Sequence, residues 1–252
     1  MYELIFIGIV AAALFICGVF VSAKNSEKSN RKHRKEFSAN VSHELKTPLT
    51  TIYGYADMML NNMVKESDKA EFLTKILNES SRMLELIDDI IRLSEMDENA
   101  VVDELSDFDL YTVGSEVISL LREKADAKNV SLSIVGGVTS LHANKRMIFE
   151  VLYNLIDNAI KYNRPDGSVR VSLSKQRDKT VIEVTDTGIG IPKQYQDRIF
   201  ERFFRVDKSR SKLTASGTGL GLSIVKHIVR HHKGDISVES QENAGTKITV
   251  RI

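Results

Sequence analysis

Apolar residues between positions 41 and 91 recur at intervals of three and four, and this spacing restricts the fold more than any other feature of the sequence. On a first helix it predicts one apolar stripe, made of Val41, Leu45, Pro48, Ile52, Ala56, Met59 and Met63. Asn61, Asn62 and the polar stretch that ends at Asp68 predict a turn, and residues 69–97 predict a second helix. The second helix has two apolar stripes, one made of Leu73, Ile76, Ser80, Met83, Ile87 and Ile90 and the other of Leu77, Leu84 and Ile91. Because one hairpin cannot cover two stripes, we predict a homodimer in which two hairpins form a four-helix bundle.

His43, in the sequence SHELKTP, is predicted to face solvent. It lies about 200° around the helix from both Val41 and Leu45, the nearest members of the apolar stripe. Pro48 lacks the N–H that would bond to the carbonyl group of residue 44, so it predicts a bend directly after His43. An exposed imidazole beside a bend indicates a reactive site rather than a core histidine.

Residues 4–21 contain no charged side chain, and this run of 18 residues is long enough for a tilted membrane-spanning helix. A cleaved signal peptide and a buried core helix are the alternatives. Glu3 precedes the run where a signal peptide would be basic, and the run has no polar face. We therefore predict a single transmembrane anchor at residues 1–23 and a basic juxtamembrane linker at residues 24–36. The positive charges of this linker place the rest of the chain in the cytoplasm.

The overall composition excludes some functions. The net charge is only +1, so the sequence gives no reason to expect nucleic-acid binding. Its 252 residues, 42% of them hydrophobic, are sufficient for two modest domains with buried cores. The single cysteine cannot form an intrachain disulfide and fits a reducing compartment.

After an acidic linker, the pattern in residues 105–252 changes to alternating helices and strands. Helices are predicted at residues 110–127, 145–162 and 219–232. Strands are predicted at residues 130–135, 169–173, 180–185, 235–240 and 246–251. This order favours a sheet covered on one face by helices, so the whole chain is predicted to be α+β.

Polar residues in this second domain form clusters that suit a nucleotide. Asn154, Asn158 and Lys161 share one helix face, where amide oxygens suit Mg²⁺ and a lysine suits phosphate. Asp186 directly follows a strand and precedes Gly188 and Gly190, so its carboxylate can accept a hydrogen bond from an amine such as that of adenine.

A second glycine-rich segment, formed by Gly217, Gly219 and Gly221, opens the last long helix. Free N–H groups at a helix N-terminus bind phosphate. The polar and basic stretch before it, which starts after Phe204, is long enough for a mobile lid. The clusters occur in a fixed order within one domain, so together they predict an ATP site.

These motifs resemble those of the sensor histidine kinases of two-component signalling. FSANVSHELKTPLTTI is similar to the H box of that family, NLIDNAIKY to its N box, DTGIGIP to its first glycine box, RIFERFFRVD to its F box and GTGLGLSIVKHIV to its second glycine box. The resemblance covers residues 37–252. It implies a dimerisation and phosphotransfer hairpin at residues 37–98 and an ATP-binding domain with the Bergerat α/β-sandwich fold at residues 105–252.

The resemblance implies catalytic roles for three residues of the hairpin. His43 matches the phosphoacceptor, and Glu44 matches the acid that assists its nucleophilic ring nitrogen. Thr47 matches the position associated with dephosphorylation of the partner in kinases of the H-E-x-x-T type. The alternative role for Thr47 is to satisfy backbone groups that Pro48 leaves unpaired.

The resemblance also implies how ATP and Mg²⁺ are held. Asn158 matches the magnesium ligand, Asp186 matches the carboxylate that reads adenine, and Arg205 matches an arginine that reaches the γ-phosphate. Other nucleotide contacts are implied for Asn154, Lys161, Tyr162 and Leu220. The positions that match the hinges of the lid are Gly188, Gly190, Gly217, Gly219 and Gly221.

The function that follows is a bacterial protein-histidine kinase anchored in the cell membrane. It is expected to phosphorylate His43 from ATP and to pass the phosphoryl group to an aspartate in the receiver domain of a separate response regulator. With one predicted span and no visible sensor domain, either a membrane sensor partner or the bilayer is expected to supply the stimulus, or the sequence is a shortened form.

Two other classes remain as alternatives. Gyrases, chaperones and mismatch-repair proteins share the ATP fold but need a glutamate at the position of Asn154, and an amide cannot act as that base. A scaffold without activity is disfavoured by the intact motifs. The remaining histidines are predicted to be solvated rather than catalytic or metal-binding, and they are His33, His142, His227, His231 and His232.

Overall fold

The computed structural model describes residues 38–97, 104–206 and 217–252. Within these ranges no helix is both long and apolar enough to cross a membrane. The predicted anchor at residues 1–23 and the predicted linker at residues 24–36 lie outside the described residues. The chain divides into two compact units, Met1–Ile76 and Leu77–Ile252.

The first unit contains the predicted turn that connects the two helices of the hairpin. Helix α1 covers residues 38–60, a 3-10 turn covers Glu66–Asp68, and helix α2 covers Lys69–Asp97 and continues into the second unit. An edge-to-face contact joins the two helices, with the ring centroids of Tyr55 and Phe72 5.2 Å apart. The predicted hairpin is therefore confirmed.

The apolar stripes of the hairpin differ in exposure. On α1, Pro48 is buried, whereas Met63 beyond the helix is exposed. On α2, the stripe with a seven-residue interval is open to solvent, with relative exposures of 66% for Leu77, 62% for Leu84 and 50% for Ile91. This is the apolar surface that the predicted dimer would bury.

The second unit is built on a five-stranded sheet. Its elements in chain order are β1 (Ser106–Asp109), α3 (Leu110–Asp126), β2 (Ser131–Val135), β3 (Ser140–Ala143), α4 (Lys145–Lys161), β4 (Ser168–Gln176), β5 (Lys179–Asp186), α5 (Gly221–His231), β6 (Asp235–Gln241) and β7 (Gly245–Arg251). The strand order is β2-β4-β5-β7-β6, with β2 parallel to β4 and the other neighbours antiparallel. Strands β1 and β3, which the sequence analysis missed, form a separate antiparallel pair.

Helices α3, α4 and α5 contact this sheet, as the alternating pattern predicts. In β4, Val169 and Val171 are buried whereas Arg170 between them is exposed. The largest buried side chains of α4 are Ile148, Leu152, Leu155, Ile156 and Ile160. The apolar face of α4 is therefore turned to the core, and its polar face is left for the site.

His232 corrects one prediction, because its side chain is not simply solvated. It is half-buried, and its Nδ1 lies 2.9 Å from the carbonyl oxygen of Ile228. Its Nε2 accepts a hydrogen bond from the backbone N–H of Asn144 at 3.3 Å. Asn144 is the N-cap of α4, where its Oδ1 accepts from the N–H of Met147. The His232 side chain therefore connects the end of α5 to the start of α4.

We predict that His232→Ala destabilises the second unit by about 1–3 kcal/mol, because the N–H of the buried Asn144 loses its acceptor. Urea unfolding monitored by circular dichroism measures the change. The matched control is Arg230→Ala, at an exposed position two residues earlier on the chain, which should change the free energy of unfolding by less than about 0.5 kcal/mol. Equal losses in the two variants would show that the bond to Asn144 does not matter.

Candidate functional site

The His43 side chain is exposed on α1, as the sequence predicts, with 76% of its area accessible. The nearest carboxylate oxygen of Glu44 lies 3.9 Å from Nδ1. This separation is too long for a hydrogen bond but short enough for a rotation of either side chain to form one.

The hydroxyl group of Thr47 donates a hydrogen bond to the carbonyl oxygen of His43 at 3.2 Å. The carbonyl that Pro48 leaves without a helix partner is that of Glu44, so Thr47 does not satisfy it. Because the hydroxyl proton points to the backbone, its lone pairs remain available as acceptors.

A cavity of about 490 Å³ lies in the second unit. Most of the predicted nucleotide residues line it, and they are Asn154, Asn158, Lys161, Tyr162, Arg205, Gly217, Gly219 and Gly221. Leu220 belongs to the same turn, but the residue is fully buried and does not line the cavity. Asp186, Gly188 and Gly190 do not line this cavity.

The amide groups on the polar face of α4 are positioned by a hydrogen bond to the backbone of α4 and lie beside a glycine at the start of α5. The amide nitrogen of Asn154 donates to the carbonyl oxygen of Glu150 at 2.9 Å, which fixes the direction of the amide oxygen. A Cβ atom added to Gly221 would lie only 2.5 Å from that oxygen and 3.8 Å from the amide nitrogen of Asn158. The missing side chain at Gly221 therefore leaves room for both amide groups.

Lys161 is the cation at the end of this face. Burial removes its ammonium group from water and lowers its pKa to about 8, while the charge of Asp157 acts in the opposite direction. Lys124 and Arg205 lower the pKa further through charge repulsion. A Cβ atom at Gly217 would lie 2.5 Å from Nζ of Lys161, so this glycine gives the ammonium group access to the cavity.

Sequence analysis missed several groups that line the cavity. Lys124 of α3 forms an ion pair with Asp157, and Lys128 donates to the carbonyl oxygen of Lys161 at 2.7 Å. Asp157 could have been found, because it is three residues after Asn154 and shares its helix face. No local signal marks the lysines, since they lie 33 residues from their partners.

Two further contacts hold the C-terminal part of α2 within the second unit. The hydroxyl group of Thr218 donates to Asp89 at 2.7 Å and accepts from the N–H of Leu220 at 3.2 Å. Arg92 forms an ion pair with Glu150 at 3.0 Å. Burial raises the pKa of Asp89, and the hydrogen bond from Thr218 opposes that rise.

Asp186 ends β5, as predicted, and its carboxylate is held by the backbone. Oδ1 accepts from the N–H of Gly188 at 2.8 Å and from the N–H of Thr246 at 3.3 Å. Burial raises the pKa of Asp186, and these two donors lower it. Within the part of the chain that the structure describes, no donor bonds to Oδ2. This oxygen can therefore receive an external donor.

The two glycines after Asp186 allow close backbone contacts. A side chain at Gly188 would collide with the carbonyl oxygen of Tyr162, and one at Gly190 with that of Gln241. Gly190 also has a φ of +68°, which favours glycine. The predicted hinge role of the five motif glycines stays a prediction.

Two family models match the chain. The model for the His Kinase A (phospho-acceptor) domain matches residues 33–99, and the model for the histidine kinase-, DNA gyrase B- and HSP90-like ATPases matches residues 143–252. The chain belongs to the sensor histidine kinases of two-component systems. The phospho-acceptor match distinguishes this histidine kinase from the gyrases and chaperones that share its ATPase fold.

One curated relative is the sensor-like histidine kinase SenX3 of Mycolicibacterium smegmatis. It is 36% identical to this histidine kinase over 237 residues, which are 93% of this chain and 61% of the relative. The chain therefore spans less than two thirds of that relative's length.

Solved structures give the same family. The histidine kinase AdeS of Acinetobacter baumannii superposes with a TM-score of 0.69 and 25% identity, covering 83% of this chain and 96% of AdeS. The histidine kinase ThkA, solved in complex with the response regulator protein TrrA, superposes with a TM-score of 0.71 and 27% identity, covering 91% of this chain and 65% of ThkA.

We predict that Lys161 titrates near pH 8 in the protein without nucleotide and that its neighbours shift it in opposite directions. Asp157→Asn should lower the pKa of Lys161, because a favourable negative charge is lost, and Arg205→Gln should raise it, because a repelling charge is lost. NMR titration of protein with ¹³C-labelled lysine measures both shifts, and Lys161→Arg assigns the signal. Shifts of the same sign would contradict the described charge arrangement.

Proposed function

We propose that this histidine kinase binds ATP with Mg²⁺ in the second unit, transfers the γ-phosphoryl group to His43 and then donates it to an aspartate of a response-regulator receiver domain. The observation that carries the proposal is the exposed imidazole of His43 beside Glu44, within the segment matched by the phospho-acceptor model. The 3.9 Å approach of Glu44 to Nδ1 supports Nε2 as the nucleophile.

The cavity suits the phosphate end of a nucleotide, because Asp186, which we assign to adenine, lies outside it. Its volume of about 490 Å³ is within the range of roughly 300–1,000 Å³ that is usual for small-molecule sites. Its lining includes the cationic groups of Lys161 and Arg205, which suit phosphate oxygens. The backbone at the start of α5 adds N–H donors, which we assign to phosphate together with Gly217, Gly219, Leu220 and Gly221.

The amide groups of α4 fit a magnesium ion that shares phosphate and water ligands. We assign Asn158 as the protein ligand and Asn154, Lys161 and Tyr162 as nucleotide contacts. The absence of a side chain at Gly221 leaves room beside the amide groups of Asn154 and Asn158, which supports this assignment. Mg²⁺, when bound, neutralises phosphate charge and orients the phosphate oxygens.

The residues of the chain perform the transfer in one displacement. Nε2 of His43 forms a bond to the γ-phosphorus as the bond from phosphorus to the bridging oxygen breaks, and ADP leaves with that electron pair. Glu44 accepts the ring proton from Nδ1 and fixes the tautomer. Asn154 cannot act as a base toward water, so ATP is retained for His43 rather than hydrolysed.

We assign Asp186 to adenine. Its Oδ1 is held by two backbone donors, and its Oδ2 is left for the exocyclic amino group. The exposed side chain of Ile189, three residues later in the same loop, supplies apolar area beside it. Gly188 and Gly190 let this loop pack closely against its neighbours.

The remaining assignments concern the oligomeric state of the enzyme, its membrane anchor and its protein partner. We propose a homodimer through the exposed stripe of Leu77, Leu84 and Ile91, whose seven-residue interval suits a helical bundle. Residues 4–21 are proposed as a single-pass anchor, with the hairpin at residues 37–98 and the ATP domain at residues 105–252 in the cytoplasm. The complex of the relative ThkA with TrrA supports a response regulator as the partner.

The first prediction for this function is that His43→Gln abolishes phosphorylation from labelled ATP and leaves ATP affinity unchanged. The glutamine keeps polarity but has no nucleophilic ring nitrogen. The matched control is His142→Gln, because His142 is also exposed and lies 3.0 Å from a carboxylate oxygen of Asp107. Acid-labile, base-stable phosphate that persists on the His43 variant would move the acceptor elsewhere.

A second prediction is that Asp186→Asn weakens ATP binding by about 10–150-fold, the range expected when a charge-assisted hydrogen bond of roughly 1.5–3 kcal/mol is lost. Isothermal titration calorimetry measures the affinity. Asp235→Asn, at the exposed start of β6, controls for the loss of one negative charge. Unchanged affinity in a folded Asp186 variant would remove this carboxylate from the nucleotide site.

We also propose that the kinase dephosphorylates its regulator with the help of Thr47. A hydroxyl group that donates to the backbone can still accept a hydrogen bond from an attacking water molecule, and Thr47 is one turn past His43. Autophosphorylation does not need this water.

Thr47→Val should therefore keep autophosphorylation and lose most phosphatase activity, because valine preserves the shape of threonine without its hydroxyl group. The lifetime of the phosphorylated regulator with ADP present measures the effect. Thr50→Val is the control, since Thr50 makes the same type of bond, to Lys46, at 2.8 Å. A Thr47→Val protein that shortens the lifetime as much as wild type would exclude a role for this hydroxyl.

A further inference from the structure

A closed ring of hydrogen bonds joins the end of α4, the loop after β5 and the turn between β6 and β7. The N–H of Ile189 donates to the carbonyl oxygen of Tyr162 at 3.1 Å, and the N–H of Asn243 donates to the carbonyl oxygen of Ile189 at 2.7 Å. The guanidinium group of Arg164 then donates to the side-chain oxygen of Asn243 at 3.0 Å. Arg164 is only two residues beyond Tyr162, so the covalent chain completes the ring.

Asn243 makes two of these bonds because of its backbone conformation. Its φ is +65°, in the left-handed region that asparagine tolerates better than most residues other than glycine. In this conformation the backbone N–H contacts Ile189 while the side chain contacts Arg164. A residue without a side-chain acceptor would keep the first bond and lose the second.

The strands on either side of this turn contact the carboxylate of Asp186 and the loop that follows it. The N–H of Thr246, the second residue of β7, donates to Oδ1 of Asp186 at 3.3 Å. The hydroxyl group of Ser240, before the turn, accepts from the N–H of Ile191 at 2.8 Å. The hydrogen bond between Arg164 and Asn243 connects the β6–β7 turn to the segment directly after α4. Helix α4 carries Asn154 and Lys161, which line the cavity.

We infer that Arg164 and Asn243 are positioning residues that fix the loop directly after Asp186 relative to α4 and thereby set the preference of the kinase for adenine over guanine. This inference rests on the proposed assignment of Asp186 to adenine. A hydrogen bond weakens steeply when its donor and acceptor separate, so Asp186 discriminates well only if its loop keeps a fixed distance from the phosphate-binding face of α4. Guanine has a carbonyl group where adenine has the amino group, so GTP does not gain from this positioning.

The test uses four variants of the full chain. Asn243→Gly keeps the left-handed backbone and the N–H but removes the acceptor, and Arg164→Met removes the donor but keeps the length of the side chain. The third variant combines both changes. Asn243→Asp restores an acceptor for Arg164 and serves as the rescue variant.

Dissociation constants for ATP and GTP, obtained by competition with a fluorescent nucleotide, measure the preference. We expect each single variant to lower the ratio of the dissociation constant for GTP to that for ATP by about 3–10-fold. This range corresponds to the free energy of one hydrogen bond. The double variant should equal the single ones, because the two residues act as a pair, and Asn243→Asp should keep the wild-type ratio. An unchanged ratio, or losses that simply add, would overturn the inference.

Asp186→Asn separates this inference from the proposal on which it rests. If Asp186→Asn retains wild-type affinity for ATP, the assignment of the loop to adenine fails. If Asp186→Asn loses affinity while the variants of the pair keep the wild-type ratio, only the positioning role fails. Thermal unfolding of each variant, which a purely structural role would lower without changing the ratio, provides the remaining control.

Discussion

Burial of one face of α4 is the interaction on which the site depends. Ile148, Leu152 and Ile156 are fully buried, so the helix cannot rotate without exposing them to water. Because Asn154 and Asn158 lie on the opposite side, the hydrophobic core itself directs their amide groups into the cavity. The site is therefore positioned by packing that takes no part in the chemistry.

The sequence predicted the parts of the fold in which apolar residues recur at a regular interval. The hairpin, the main helices and the five strands of the larger sheet all show regular apolar spacing. Strands β1 and β3 were missed because each has only four residues, and β1, with the sequence SDFD, has one apolar side chain. Four residues are too few to establish an alternation.

Contacts between distant residues account for most of what the sequence could not predict about the site. His232 bonds to Asn144 across 88 positions, and a histidine at a helix end gives no local sign of such a partner. The pair of Lys124 and Asp157 has the same difficulty. The glycine motifs were found readily, but their tight contacts with Tyr162 and Gln241 depend on the tertiary fold.

If Lys161 contacts the nucleotide as proposed, its half-buried ammonium group couples nucleotide binding to proton uptake. With a pKa of about 8, part of the Lys161 population is neutral in mildly alkaline solution before a ligand arrives. A triphosphate beside this group favours the charged form, so binding takes up a fraction of a proton from the buffer. The heat of binding near pH 8 consequently contains the ionisation enthalpy of the buffer, and the affinity declines as the pH rises above the pKa of the free protein.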